Sequence, residues 1–136
     1  MMVDGVLFQD DEHYAFMVEK LRRLREAGYQ PDVYARSLFY TLGVCADTRA
    51  HFEELFTMAE HGIKVDGLQH GWQTSGSKKV TRLAFNLWNG CTYDSEEDFD
   101  AGRHSPYYAV DEIFCCGYQP YFMQAVRLRF PEDARG

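Results

Sequence analysis

Four times between residues 10 and 90, apolar residues spaced by threes and fours run up to a glycine: Gly28, Gly43, Gly62 and Gly90. That spacing puts side chains on one face of a helix, and glycine readily takes the left-handed conformation in which helices end. A chain punctuated this way is constrained to be mainly α. Asp10 or Asp11 caps a first helix over 10–27, with stripe Tyr14, Met17, Leu21 and Leu24 and with Arg22, Arg23 and Arg25 towards its C-terminal end. Pro31 and Asp32 open a second helix through Ser37, Leu38, Phe39, Tyr40 and Leu42. Asp47 or Thr48 caps a third, with stripe Phe52, Leu55, Phe56 and Ala59. Ser75 or Ser77 caps a fourth that runs to Asn89.

In that fourth helix Val80, Leu83, Ala84 and Leu87 form one stripe, with Phe85 and Trp88 on another face. Being apolar most of the way round, it is expected to be central and buried, except for a basic first turn. Residues 63–69 alternate about Asp66-Gly67 and read as a short hairpin or an ordered loop. Residues 91–104 are acidic and read as an exposed, turn-rich loop. Ser105-Pro106 opens a short helical stretch through Ile113 and Phe114. A last helix starts at Pro120, runs through Phe122, Ala125, Val126 and Leu128, and ends at Phe130-Pro131. The expectation is a mainly α, single-domain bundle of about five helices, with one short β-hairpin near residues 63–69.

Length and composition agree with that architecture. At 136 residues, 46% hydrophobic and 15% aromatic, the chain can bury one core and is not disordered. Its formal net charge of −7 opposes general binding to nucleic acid or anionic membrane surfaces. The N-terminus lacks the basic start and apolar stretch of a secretion signal, and no apolar run approaches the ~20 residues that span a bilayer. With that, the four cysteines (Cys45, Cys91, Cys115 and Cys116) are expected to be reduced thiols in a cytoplasmic protein.

Charge is distributed unevenly. Lys78, Lys79 and Arg82 are concentrated at the start of the fourth helix, after a loop reading Gly71-Trp72-Gln73-Thr74-Ser75-Gly76-Ser77. Free amides at a helix start attract negative charge, so cations placed there oppose the dipole by about 0.3–1 kcal/mol each. A bound anion relieves that conflict. Gln73, Thr74, Ser75, Gly76, Ser77, Lys78, Lys79 and Arg82 are therefore the candidate ligand-binding residues. The bland alternative is a serine cap whose lysines point into water.

The loop is not a P-loop. Gly71 and Gly76 have the right separation, but Ser77-Lys78 inverts the required order and no buried strand precedes them. His70, beside the loop, is the one candidate for a general base. The five histidines show no HExxH spacing, there is no CxxC, and carboxylates 94–100 fail the calcium-loop pattern because Phe99 stands where glycine is required. No metal or cofactor is expected.

Gly71-Trp72-Gln73-Thr74-Ser75, with Thr81-Arg82-Leu83-Ala84-Phe85-Asn86-Leu87, and Ala125-Val126-Arg127-Leu128-Arg129-Phe130 resemble a family of short bacterial proteins known only as a domain of unknown function. Ser37-Leu38-Phe39-Tyr40 also fits. The resemblance implies a bacterial origin and carries no catalytic residues. Three functional expectations stand. One is a binding or regulatory module contacting a small anion, a phosphorylated ligand or a protein partner at residues 73–82. Another is a hydrolase or transferase on a phosphorylated substrate with His70 as base. The third is a self-associating homo-oligomer with an aromatic interface.

Overall fold

The computed structural model describes residues 1–131. Met2–Val3 (β1) pairs antiparallel with Val6–Leu7 (β2), and the chain then enters helix α1, Asp11–Glu26. Helix α2 spans Val33–Leu42, α3 spans Ala46–Ala50, and a 3-10 turn covers Phe52–Glu54. Phe56–Thr57 (β3) and Gly62–Ile63 (β4) form a second antiparallel hairpin, Phe56 facing Ile63 across it. A 3-10 stretch, Val65–Gln69, leads to α4, Ser75–Asn89. Then follow α5 (Glu96–Ala101), a 3-10 turn (Pro106–Tyr108), α6 (Val110–Ile113) and α7 (Gln119–Arg129). The fold is mainly helical, with its weight in α1, α2, α4 and α7.

Three of those helices begin where a short polar side chain takes a first-turn amide. Asp10 accepts from His13 N at 2.9 Å, Asp32 from Ala35 N at 2.9 Å, and Thr74 from Ser77 N at 3.0 Å. Each such bond satisfies a donor the helix cannot satisfy itself, worth about 1 kcal/mol. In α7 a proline in the first turn does the same job by removing a donor.

The central element is α2, not α4. Leu38, Phe39, Tyr40 and Leu42 are fully enclosed, and α1, α4 and α7 pack around them. Helix α2 carries no charge from Ser37 onward, so every side of its second half can be buried. Helix α4 keeps Arg82, Asn86 and Trp88 half-buried on an outer face while Val80, Leu83, Ala84, Phe85 and Leu87 enter the core.

Helix α1 is rotated relative to the stripe read from sequence. His13, Phe16, Met17 and Leu24 face the core, while Tyr14 lies at the surface. His13 is fully buried and stays neutral: Gln9 N donates to its Nδ1 at 3.1 Å, and its Nε2 donates to Tyr40 O at 2.8 Å. Burial pushes its pKa below the ordinary histidine value, against the pull of the Tyr40 carbonyl. Gly43, expected as a left-handed helix stop, has an ordinary φ of −78°. Glycine is needed there for room, because a Cβ would lie 2.8 Å from the His13 ring.

The third helix is the main departure. Phe52, Leu55 and Phe56 are buried as the stripe requires, yet α3 ends at Ala50 and Ala59 is exposed. A 3-10 turn also aligns residues three apart, so spacing alone does not separate it from an α-helix. Packing of Phe56 against Phe39, Phe52 and Trp88, with Lys64 N donating to Leu55 O at 2.8 Å, favours a turn and hairpin. The hairpin thus precedes the Asp66-Gly67 position expected for it, and Val65–Gln69 is a 3-10 stretch. The acidic segment 91–104 also contains the short helix α5, capped by Ser95 and burying no residue.

Candidate functional site

The start of α4 is built by reciprocal capping. Thr74 is the cap, where sequence offered Ser75 or Ser77; its Oγ1 accepts from Ser77 N, and Ser77 Oγ accepts from Thr74 N at 2.7 Å. Ser77 is buried and donates to Gln73 Oε1 at 2.6 Å. Gln73 Nε2 in turn donates to Gly67 O and to Thr81 Oγ1, both at 3.2 Å. Gln73, Thr74 and Ser77 therefore fix the loop to the helix. The amides of Ser75 and Gly76 occupy the first two helical positions, where no carbonyl lies a turn behind.

Six of the eight candidates, Gln73, Thr74, Ser75, Lys78, Lys79 and Arg82, line one cleft of about 440 Å³, completed by Tyr107 and Glu112. Ser77 faces inward, and Gly76 is not on the walls. Two of the cations are held in place. Arg82 Nε donates to Asp94 Oδ1 at 3.0 Å, with its guanidinium 5.1 Å from the Tyr107 ring centre. Lys79 Nζ donates to Glu112 O at 2.5 Å. Among the described residues Lys78 makes no salt bridge. The cleft thus brings together Ser75 of the first helical turn, one uncommitted ammonium and two cations already oriented.

His70 lies elsewhere. Its Nδ1 meets Glu54 Oε1 at 2.6 Å, and Trp72 Nε1 donates to the same oxygen at 3.1 Å. His51 Nδ1 meets the other oxygen at 2.5 Å, and its ring stacks on Trp72 at 4.3 Å and 5°. Hydrogen bonds from His51, then His70, hold the Glu54 carboxyl down at about 2. This clamp ties the 70–72 loop to the Phe52–Glu54 turn, and His70 is absent from the cleft walls. Glu54 escaped sequence reading because it and His70 are sixteen residues apart. The only local signal was His51 and Glu54 three apart. Tyr107, Glu112 and Asp94 were likewise invisible, being brought in by the tertiary fold.

Cys45 and Cys91 are buried, Cys116 half-buried and Cys115 exposed, all as free thiols. His104 bonds Thr92 Oγ1 at 2.6 Å and stacks on Tyr93. No group of three or more metal-ligating side chains is arranged to hold an ion among the described residues. None of their helices is long and apolar enough to cross a membrane.

No curated protein matches the chain, and no solved structure matches it. A family model does, over residues 3–136, which takes in the Gly71–Ser75, Thr81–Leu87 and Ala125–Phe130 stretches. By that match the chain belongs to DUF6075, a family of unknown function.

Proposed function

We propose that this protein is a binding module that captures a small anionic ligand, most simply a phosphoryl group, at the first turn of α4. One observation carries the reading: Ser75, Lys78, Lys79 and Arg82 line one cleft. Helix amides and basic side chains suit an anion with several acceptor oxygens. Lys78, in the first turn and uncommitted, opposes the positive dipole end in the free protein, and an anion turns that repulsion into an attraction. The same chemistry serves a free phosphoester or a phosphorylated partner protein.

A hydrolytic reading has less support, because His70 is bonded to Glu54 and is not on the cleft walls. The test is titration of the full chain with inorganic phosphate and with phosphoserine, followed through backbone amide shifts. Saturable shifts at Ser75 and Gly76 are expected. Replacing Lys78 and Lys79 together by alanine should weaken binding by about tenfold or more, since hydrogen bonds to charged groups are worth about 1.5–3 kcal/mol. Unchanged affinity in that double variant would sink the proposal. His70→Asn should leave affinity unaltered.

A further inference from the structure

The opposite end of α4 borders a second cleft, of about 430 Å³, which the anion reading does not use. Four of its eleven lining residues carry aromatic rings. Trp88, in the last turn of α4, meets His61 edge to face, ring centres 5.1 Å apart at 82°. Tyr93 meets Phe99 of α5 in the same manner, at 5.2 Å and 85°. Both pairs line the cleft together with Glu96. His61 holds a φ of +53°, an unfavourable conformation for a residue with a β-carbon, and its ring stacks flat on Tyr29 at 3.9 Å and 6°. Phe99 is 56% exposed, a large apolar ring left in water on a strongly acidic helix.

The field at this end is negative. The last turn of α4 holds no basic residue of its own; Arg129 of α7 donates to the Leu87 carbonyl at 2.9 Å, and Glu96 is the one carboxylate on the cleft walls. Helix α5 contributes Glu96, and Glu96 N donates to Asp66 Oδ1 at 2.9 Å, which brings a second carboxylate alongside; Glu97 and Asp98 are paired with Arg103. An anion is repelled here, and a neutral apolar ligand gains nothing from the charge. A weakly hydrated cation uses both the ring faces and the field. A primary ammonium must find acceptors for three N–H groups, which aromatic walls supply poorly; a fully methylated one needs none.

We propose that this cleft binds a small organic cation bearing a methylated ammonium group, with Trp88, Tyr93 and Phe99 supplying ring faces and Glu96 the counter-charge. Choline is the probe. The control is 3,3-dimethylbutanol, the same shape with carbon in place of the charged nitrogen. In the full chain, choline should shift the Trp88 indole and Gly90 amide resonances saturably, with the neutral isostere binding about tenfold more weakly. Phe99→Ala removes an exposed ring that the fold tolerates losing, and should weaken choline about two- to thirtyfold while the rest of the spectrum stays native. Glu96→Gln should weaken it too, with a smaller response to added salt than the parent shows.

Three results overturn the assignment. One is the isostere binding as tightly as choline, which marks a plain apolar pocket. Another is no saturable shift up to about 10 mM choline, ten times a dissociation constant of about 1 mM. The third is a folded Phe99→Ala variant with unchanged affinity.

Discussion

The first turn of α4 carries Lys78 and Lys79, with Arg82 a turn further on, where the helix dipole already presents positive charge; its last turn carries no basic residue and opens towards the acidic face of α5. In neither place do the helix's own charged residues neutralise the dipole. At the first turn Asp94 and the Glu112 carbonyl engage Arg82 and Lys79, leaving Lys78 uncommitted. At the last turn Arg129 of α7 takes the Leu87 carbonyl, while Glu96 of a neighbouring segment places a carboxylate on the cleft wall beside the aromatic rings. The difference teaches that one helix can present two oppositely charged clefts, because the dipole is balanced at each end by whatever the rest of the chain brings there.

The comparison assumes that α4 is one rigid body, and Phe85→Ala tests that most severely. Phe85 is fully enclosed midway along the helix, so truncation should cost about 3–5 kcal/mol in urea unfolding. Phosphate and choline responses should then be lost together as denaturant rises. Loss at one end alone would show that the two clefts fold independently.

Smaller changes act on one end at a time. Gly90 ends α4 at φ +77° with nothing within 4 Å of a Cβ, so Gly90→Ala tests backbone conformation alone, at about 1–2 kcal/mol. Thr74→Ala removes the opposite cap at about 1 kcal/mol. Differential scanning calorimetry measures both, and each variant should perturb ligand shifts only at its own end. Asp94→Asn should lower stability by about 1 kcal/mol, since Arg82 keeps partial access to water, yet raise phosphate affinity severalfold by freeing the guanidinium. Unchanged phosphate affinity would mean that Arg82 is a structural partner of Asp94 and no part of the anion cleft.

Acid should separate the core from the edge. His13 is neutral when folded and its pKa is lowered, so the unfolded chain takes up a proton first as pH falls below about 6.5. Stability should therefore decrease from about pH 6.5 down to the folded pKa and level off beneath it. His13→Gln should flatten that slope in urea titrations between pH 7 and pH 5. Glu54 behaves differently in range: its contribution is complete above the ordinary carboxylate value near 4.3 and disappears as pH falls through about 2. Amide protection factors in the 70–72 loop should consequently hold from pH 7 to pH 5, while those in α1 and α2 fall.

Much of this was legible in the chain. Asp10 and Asp32 were readable as caps because a carboxylate beside a free amide is a local event spanning three residues. The basic first turn was readable for the same reason, as were Gly90 and the buried stripe of Val80, Leu83, Ala84 and Leu87. The third helix was not, since the step of three from Phe52 to Leu55 fits a 3-10 turn as well as an α-helix, and Phe56 belongs to β3. Its outcome turned on Phe39 and Trp88, thirteen and more residues away.

Sequence by itself determined a mainly helical fold, most helix boundaries, family membership and the charge of the α4 first turn. These depend on interactions between residues no more than about four apart, plus a pattern along the chain. Tertiary structure alone decided that α2 is the centre and that Gly43 makes room for a buried histidine. It decided as well that Glu54 grips His51, His70 and Trp72, and that Tyr107 and Glu112 complete one cleft while Phe99 and Glu96 complete another. Those outcomes join segments distant along the chain, and which segments meet is set by how the whole apolar surface can be buried at once.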